Sequence, residues 1–168
     1  RPILAIFSNS ACGGNKNDVM PIALAIEILH NFTLVHDDIM DKDLFRHGQK
    51  TVHGKWDEGI AILTGDAMLS LALKIILQSK NYKEKQMSLF VEGLLAVCEG
   101  QALDKEFESK VSVSLDDYLK MIDLKTGYMI GLSSHMGATS TNATLETCIK
   151  LRNYGRLIGR AFQIQDDY

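Results

Sequence analysis

Residues 18–41 read DVMPIALAIEILHNFTLVHDDIMD, a long apolar segment that ends in three aspartates. Its apolar residues recur at helical spacing and occupy nearly every side of the predicted helix, which favours a position in the middle of a bundle. Aspartates are unfavourable at the end of such a helix, because the helix dipole is negative there. We therefore expect these carboxylates to serve a function.

The rest of the chain predicts further helices, because apolar residues recur at helical spacing between short polar or glycine-containing breaks. Leu, Ile, Ala and Met supply most of the apolar content, and these residues favour helix over strand. The expected fold class is all-α, with one domain over residues 1–168. Besides the helix at about 18–41, we predict helices at about 3–12, 57–79, 83–107 and 115–137 and from about 144 onward, with a polar connection at about 42–56.

Composition excludes several classes of function. The chain has 18 basic and 21 acidic residues, a net charge of −3 and no run of five like charges, which argues against a nucleic-acid partner or a polybasic membrane surface. Polar residues interrupt every long apolar stretch, so we predict no membrane span and no signal peptide. The three widely spaced cysteines fit reduced, buried side chains. We expect a cytoplasmic protein.

Asp37 and Asp41 are the strongest candidates for a functional site. They are spaced i and i+4 and share one helix face, whereas Asp38 is rotated by about 100°. Two adjacent carboxylates repel each other unless a cation lies between them, and an all-oxygen ligand set favours Mg²⁺ or Mn²⁺ over Zn²⁺. The alternative is a solvated acidic helix end. A second pair, Asp166-Asp167, follows another apolar helix and could face the first pair across a bundle.

Cationic residues accompany the aspartates. Arg46, His47 and Lys50 follow the first cluster, and Lys125-Thr126 interrupts the fifth predicted helix. Together with bound metal, these residues could hold a diphosphate, although a lone lysine in such a position often extends to solvent instead. Gln101 and Asp104 could add an amide and a carboxylate to one wall, or could belong to an ordinary polar helix face.

Five motifs occur together in the order and spacing of the trans-isoprenyl diphosphate synthases, which this chain therefore resembles: LVHDDIMDKDLFRHGQKTVH (34–53), ILTGD (62–66), EGQALD (99–104), LKTG (124–127) and FQIQDD (162–167). The resemblance spans the chain and implies an antiparallel helical bundle around a central cavity. Arg1-Pro2 resembles the end of the family motif GGKRxRP, and the last aspartate motif is cut after DDY. We expect a chain that lacks the preceding Gly-Gly-Lys and the family's C-terminal helices.

The resemblance also implies residue roles. Asp37 and Asp41, with Asp38 beside them, would hold Mg²⁺ on an allylic diphosphate, and Asp166 would hold Mg²⁺ from across the cavity. Arg1 and His30 would bind isopentenyl diphosphate. His47 stands where the family has a second arginine, and this departure puts the affinity for isopentenyl diphosphate in doubt. The residues implied to contact the allylic diphosphate are Arg46, Lys125, Thr126 and Gln163.

The implied activity is Mg²⁺-dependent condensation of isopentenyl diphosphate with an allylic diphosphate by a homodimer. In this family the positions five and four before the first aspartate limit the depth of the product tunnel, and Phe32 and Thr33 occupy them here. This resembles short-chain enzymes that make farnesyl or geranylgeranyl diphosphate, with Phe32 as the tunnel floor. Two alternatives stay open: a non-catalytic regulatory subunit of a heteromeric synthase, and a class I terpene cyclase.

Overall fold

The computed structural model describes residues 1–168 and confirms the all-α prediction. The fold contains eight α-helices, one π-helical turn and one two-stranded hairpin. The elements are α1 (Pro2–Ala11), α2 (Lys16–Asp41), β1 (Phe45–Arg46), β2 (Gln49–Lys50), α3 (Val52–Lys55), α4 (Glu58–Ile76), α5 (Lys83–Phe107), α6 (Leu115–Ile122), the π-helical turn (Asp123–Gly127), α7 (Tyr128–Thr139) and α8 (Leu145–Asp166).

Helix α2 lies in the core, as its apolar sequence predicts. It packs against α4, α1 and α7, and its side chains include the fully buried Ile22, Ile26 and Leu29. The helix begins earlier than predicted because the Asn15 side chain accepts a hydrogen bond of 2.8 Å from the backbone nitrogen of Asn17. Pro21 therefore lies inside the helix and not in its first turn.

The predicted polar connection contains regular structure. Strands β1 and β2 pair antiparallel and are joined by His47 and Gly48, whose φ angles are 49° and 77°. Positive φ at both central residues is the signature of a type I′ turn, which suits the twist of a hairpin. The hairpin and α3 therefore give the segment after the aspartates a defined path.

The predicted helix at 115–137 is divided into α6, the π-helical turn and α7. The turn contains Lys125 and Thr126 and packs against both α5 and α8. Gly100 on α5 allows this approach, because a Cβ there would lie 2.7 Å from the Cα atom of Lys125. π-Helical turns frequently occur at functional sites, which directs attention to these two residues.

Two helices, α2 and α4, are long and apolar enough to cross a membrane by length and composition alone, which the sequence analysis did not anticipate. The core helix of a soluble protein meets the same criterion, and α2 and α4 pack against each other here. Helix α4 nevertheless exposes large apolar side chains, including Ile60, Ile62, Leu63 and Leu71. The absence of a membrane span remains a prediction.

Candidate functional site

A cavity of about 380 Å³ collects most of the predicted site residues. Helix α2 forms one wall, the π-helical turn and α8 form the opposite one, and the hairpin closes one side. A larger cavity of about 580 Å³, beside the α1–α2 loop, contains none of these residues. The predicted residues that line the smaller cavity are Arg1, His30, Thr33, Asp37, Asp41, Arg46, His47, Gln101, Lys125, Thr126, Gln163 and Asp166.

Asp37 and Asp41 both face this cavity, as their spacing predicts. Asp37 is half-buried, and burial raises its pKa to about 6; Lys125 opposes this shift and the Asp41 carboxylate reinforces it. Asp37 forms no ion pair within the protein, whereas Asp41 is paired with a lysine of α5. Asp37 and Asp41 together are suited to binding a cation.

Asp38 points elsewhere and does not line the cavity. It is 5% exposed, and its Oδ1 accepts a hydrogen bond of 2.7 Å from Nε of Arg46 and lies 2.7 Å from Nη2 of the same side chain. This ion pair links the end of α2 to β1 and holds the Arg46 side chain at the cavity rim. In this structure Asp38 positions Arg46, while Arg46 still lines the predicted diphosphate site.

Lys105 on α5 is a site residue that the sequence analysis missed. Its Nζ lies 3.0 Å from Asp41 Oδ1 and 2.6 Å from Glu108 Oε1. The residue follows Gln101 by one helical turn, so the polar face already noted for Gln101 and Asp104 could have revealed it. The contact brings a cation from α5 to one of the proposed metal ligands.

Lys125, Thr126 and Gln163 form the wall opposite the aspartates. Lys125 Nζ donates to Asp104 Oδ2, and Thr126 Oγ1 donates to Gln163 Oε1 over 2.8 Å. Gln163 Nε2 donates in turn to Asp167 Oδ1 over 2.8 Å, and the latter carboxylate also accepts from Tyr118. These bonds fix the π-helical turn against α8 and turn Asp167 away from the neighbouring Asp166, which lines the cavity.

Arg1 and His30 lie together in the cavity. Burial, together with the charges of Arg1 and Arg46, lowers the pKa of His30 to about 4. His30 is therefore neutral at pH 7 and can donate one hydrogen bond without adding a charge. The buried Nε of Arg1 has no hydrogen-bond partner, which leaves a donor available to an anion.

The residues present fit Mg²⁺ only together with a phosphate ligand. No three acidic, histidine or cysteine side chains are close enough to form a metal site by themselves. Mg²⁺ is commonly bound by one or two protein carboxylates together with substrate phosphates, and it retains several water molecules. Asp37 and Asp41 on one wall and Asp166 on the other are the residues that could supply those carboxylates.

An apolar groove of about 250 Å³ adjoins the cavity and runs between α2 and α5. Four residues border both spaces: Thr33, Asp37, Val97 and Gln101. Phe32 lines only the groove, where its ring contacts His36 edge-on with centroids 4.7 Å apart. Cys98 also lines the groove and is exposed, in contrast to the expectation that all three cysteines are buried.

Comparison with known proteins identifies similar sequences. The chain is 40% identical over 170 residues to a short chain isoprenyl diphosphate synthase from Methanothermobacter thermautotrophicus, covering 100% of the chain and 52% of that relative. It is 41% identical over 170 residues to a geranylgeranyl diphosphate synthase from Methanosarcina mazei, covering 99% of the chain and 52% of that relative.

A solved structure has the same fold. The geranylgeranyl pyrophosphate synthetase from Geoglobus acetivorans superposes with a TM-score of 0.96 at 39% identity, covering 99% of the chain and 55% of that structure. The chain thus spans about half the length of the relatives it matches. The family model described as polyprenyl synthetase matches residues 1–168, and the chain belongs to that family.

Proposed function

We propose that the protein containing this chain is a prenyltransferase that condenses isopentenyl diphosphate with an allylic diphosphate to give a short-chain trans-prenyl diphosphate. The observation that carries the proposal is the single cavity that joins the carboxylates of α2 and α8 with the cations of the hairpin and the π-helical turn. An apolar groove leaves this cavity along α2. A charged chamber beside an apolar channel suits a ligand with an anionic head and a hydrocarbon tail.

The chain's own residues bind and orient the allylic substrate. Arg46 and Lys125 donate to the diphosphate oxygens after exchanging their internal carboxylate partners, and Thr126 and Gln163 offer neutral polar contacts. Asp37, Asp41 and Asp166 would hold Mg²⁺, which when bound would supply positive charge that stabilises the diphosphate as a leaving group. Heterolysis of the allylic C–O bond leaves its electron pair on the diphosphate.

The second substrate binds at the same chamber, where Arg1, His30 and His47 face its diphosphate. Its double bond attacks the allylic cation, and loss of a proton from the adduct gives the lengthened product. Water must be excluded because it would trap the cation, and the apolar groove limits its access. Phe32 in this groove supports a farnesyl or geranylgeranyl product.

The relatives support this function over the alternatives. Those described above are named as short chain isoprenyl or geranylgeranyl diphosphate synthases, and neither is named as a regulatory subunit or a cyclase. We propose further that the protein works as a homodimer in the cytoplasm. The exposed apolar side chains of α4 support the dimer, because association would remove them from water. Gel filtration with light scattering tests the dimer.

The decisive experiment is an assay of the complete protein with labelled isopentenyl diphosphate, an allylic diphosphate and Mg²⁺. Asp37→Ala combined with Asp41→Ala should abolish incorporation of label and leave the helical circular dichroism spectrum unchanged. Asp116→Ala combined with Glu146→Ala removes two exposed carboxylates outside the cavity and is the matched control. Unchanged turnover in the first variant, or wild-type activity only with a second protein, would refute the proposal.

A further inference from the structure

Gln101 on α5 is a buried amide that makes no hydrogen bond. The residue is 8% exposed, and its Nε2 and Oε1 atoms have neither solvent contact nor a partner within the protein. Buried side-chain amides are nearly always paired, because an unpaired donor or acceptor loses its hydration without replacement. Other buried polar atoms, such as Ser134 Oγ and Thr139 Oγ1, are also unpaired, but they lie away from the site cavity, whereas Gln101 lines it.

A second glutamine on the same helix shows what a purely structural amide does here. Gln86 is fully buried, and its Nε2 donates to the backbone oxygen of Met136 over 3.1 Å, while its Oε1 has no partner within the protein. Gln86 lines neither the site cavity nor the apolar groove. Helix α5 thus carries one glutamine whose amide nitrogen is hydrogen-bonded to α7, and another whose amide makes no hydrogen bond within the protein.

The position of Gln101 identifies the missing partner. It is one of four residues that border both the charged cavity and the apolar groove. A ligand with its diphosphate among the cations and its hydrocarbon tail in the groove must place the bond between these two parts at this boundary. Of the four bordering residues, Val97 is apolar, Asp37 belongs to the metal site and Thr33 donates its hydroxyl to the His30 backbone oxygen over 2.8 Å. Only the amide of Gln101 is uncommitted.

We propose that Gln101 is an additional catalytic residue, whose amide contacts the reacting end of the allylic substrate. This rests on the proposed prenyltransferase function. Nε2 donates to the oxygen that joins the diphosphate to C1, and Oε1 faces C1, where positive charge develops. The C1–O bond breaks with its electron pair going to the diphosphate, while Gln101 forms no bond and transfers no proton. The amide is a fixed neutral dipole, so its N–H stabilises the negative charge on the leaving oxygen and its carbonyl oxygen stabilises the positive charge at C1.

Gln101→Met in the complete protein tests the proposal, because it removes the amide and retains the length of the side chain. The turnover number should fall about tenfold or more, while KM for each substrate stays within about threefold, because the contact strengthens as charge develops. The melting temperature should stay the same or rise, because an unpaired amide is replaced by an apolar group.

Gln86→Met is the matched control, since it makes the same chemical change in a buried glutamine of the same helix. It should lower the melting temperature, because the hydrogen bond to Met136 is lost, and leave the turnover number within about twofold. Opposite effects of the two variants on stability and turnover would distinguish a catalytic amide from a structural one.

A Gln101→Met protein with wild-type turnover would overturn the proposal. A variant that loses activity together with a lowered melting temperature would do the same, because that result assigns Gln101 a structural role. Both results leave the prenyltransferase function intact. A wild-type protein that incorporates no isopentenyl diphosphate would instead refute the function, and the Gln101 proposal would fail with it.

Discussion

Gly100 and Lys125 are in such close contact that α5 has no room for a side chain at position 100. A Cβ on Gly100 would lie 2.7 Å from Lys125 Cα and 2.8 Å from the carbonyl carbon of Leu124. Both atoms belong to backbone, which cannot move aside as the end of a side chain can. The approach of α5 therefore fixes the position of the π-helical turn that carries Lys125 and Thr126 into the cavity.

Gly100→Ala should displace this turn. We expect a loss of about 1–3 kcal/mol in the free energy of unfolding, as for other overpacked sites. Turnover per folded molecule should also fall, because the turn carries two residues of the cavity. Gly59→Ala is the control, because a Cβ there meets only the Asp57 carboxylate, at 3.2 Å. Urea denaturation and the condensation assay measure the two effects. Wild-type turnover in Gly100→Ala would show that the turn tolerates displacement.

Lys105 Nζ lies 3.0 Å from Asp41 Oδ1 and would compete with a metal ion bound by Asp41. Lys105→Gln should therefore lower the Mg²⁺ concentration that gives half-maximal activity by about two- to fivefold, the scale expected for an exposed ion pair. Lys110→Gln, which breaks the exposed pair with Glu106 near the end of the same helix, should leave it unchanged. An increase in the required Mg²⁺ would instead assign Lys105 to substrate binding.

Phe32 lines the apolar groove, and we expect Phe32→Ala to extend the space for the product tail. The main product should be longer by at least one isoprene unit, as measured by mass spectrometry of the dephosphorylated products. Loss of a buried phenyl ring costs about 3–5 kcal/mol, so circular dichroism must show that the variant is folded. Leu24→Ala changes an exposed residue of the same helix and serves as control. An unchanged product from folded protein excludes Phe32 as the floor.

His47 faces the cavity at the tip of the hairpin, at a position where the resemblance to trans-isoprenyl diphosphate synthases implies an arginine. His47→Arg adds a permanent charge and a planar set of donors, so KM for isopentenyl diphosphate should fall by about two- to tenfold. KM for the allylic substrate should change less. Lys50→Arg, on the adjacent strand and outside the cavity, should have no effect. An unchanged or higher KM would show that His47 already serves the site.

His135 should make the fold less stable as the pH falls. Its pKa is lowered to about 4, mainly by burial and also by the charges of Arg152 and Lys85, which Glu92 partly opposes. The unfolded chain has a histidine pKa near 6.5, so between about pH 6.5 and 4 it binds more protons than the native state. This contribution to stability is complete above pH 6.5 and is lost progressively below it.

His135→Gln should therefore show a smaller decrease in melting temperature between pH 7.5 and 5 than the wild type. His53→Gln, which alters a histidine outside the buried core, should retain the wild-type pH dependence. An identical pH dependence in wild type and His135→Gln would contradict the assignment.

The sequence was sufficient for the parts of the site that depend on local geometry. Asp37 and Asp41 face one cavity because residues spaced i and i+4 share a helix face, and Asp38 turns away for the same reason. The end of α2 at Asp41 also followed from its apolar run, although the helix begins two residues earlier than predicted. These features need no knowledge of how the helices pack.

Contacts between distant segments were not predictable in this way. The pairing of Lys105 with Asp41 joins residues 64 positions apart and depends on how α5 crosses α2. The hairpin has strands of only two residues, which are too short for a hydrophobic alternation. The π-helical turn was missed because helical periodicity continues on either side of it, so the polar pair Lys125-Thr126 did not by itself indicate a change of helix type.

One inserted residue in the π-helical turn sets two properties of the molecule together. A single extra residue rotates the following helix by about 100° relative to an uninterrupted one. It therefore determines which side chains of the almost wholly enclosed α7 meet α1, α5 and α8, and it also determines where Lys125 and Thr126 point. Deleting a residue from this segment would disturb the interior and the binding chamber at once, so evolution can adjust neither of them there without the other.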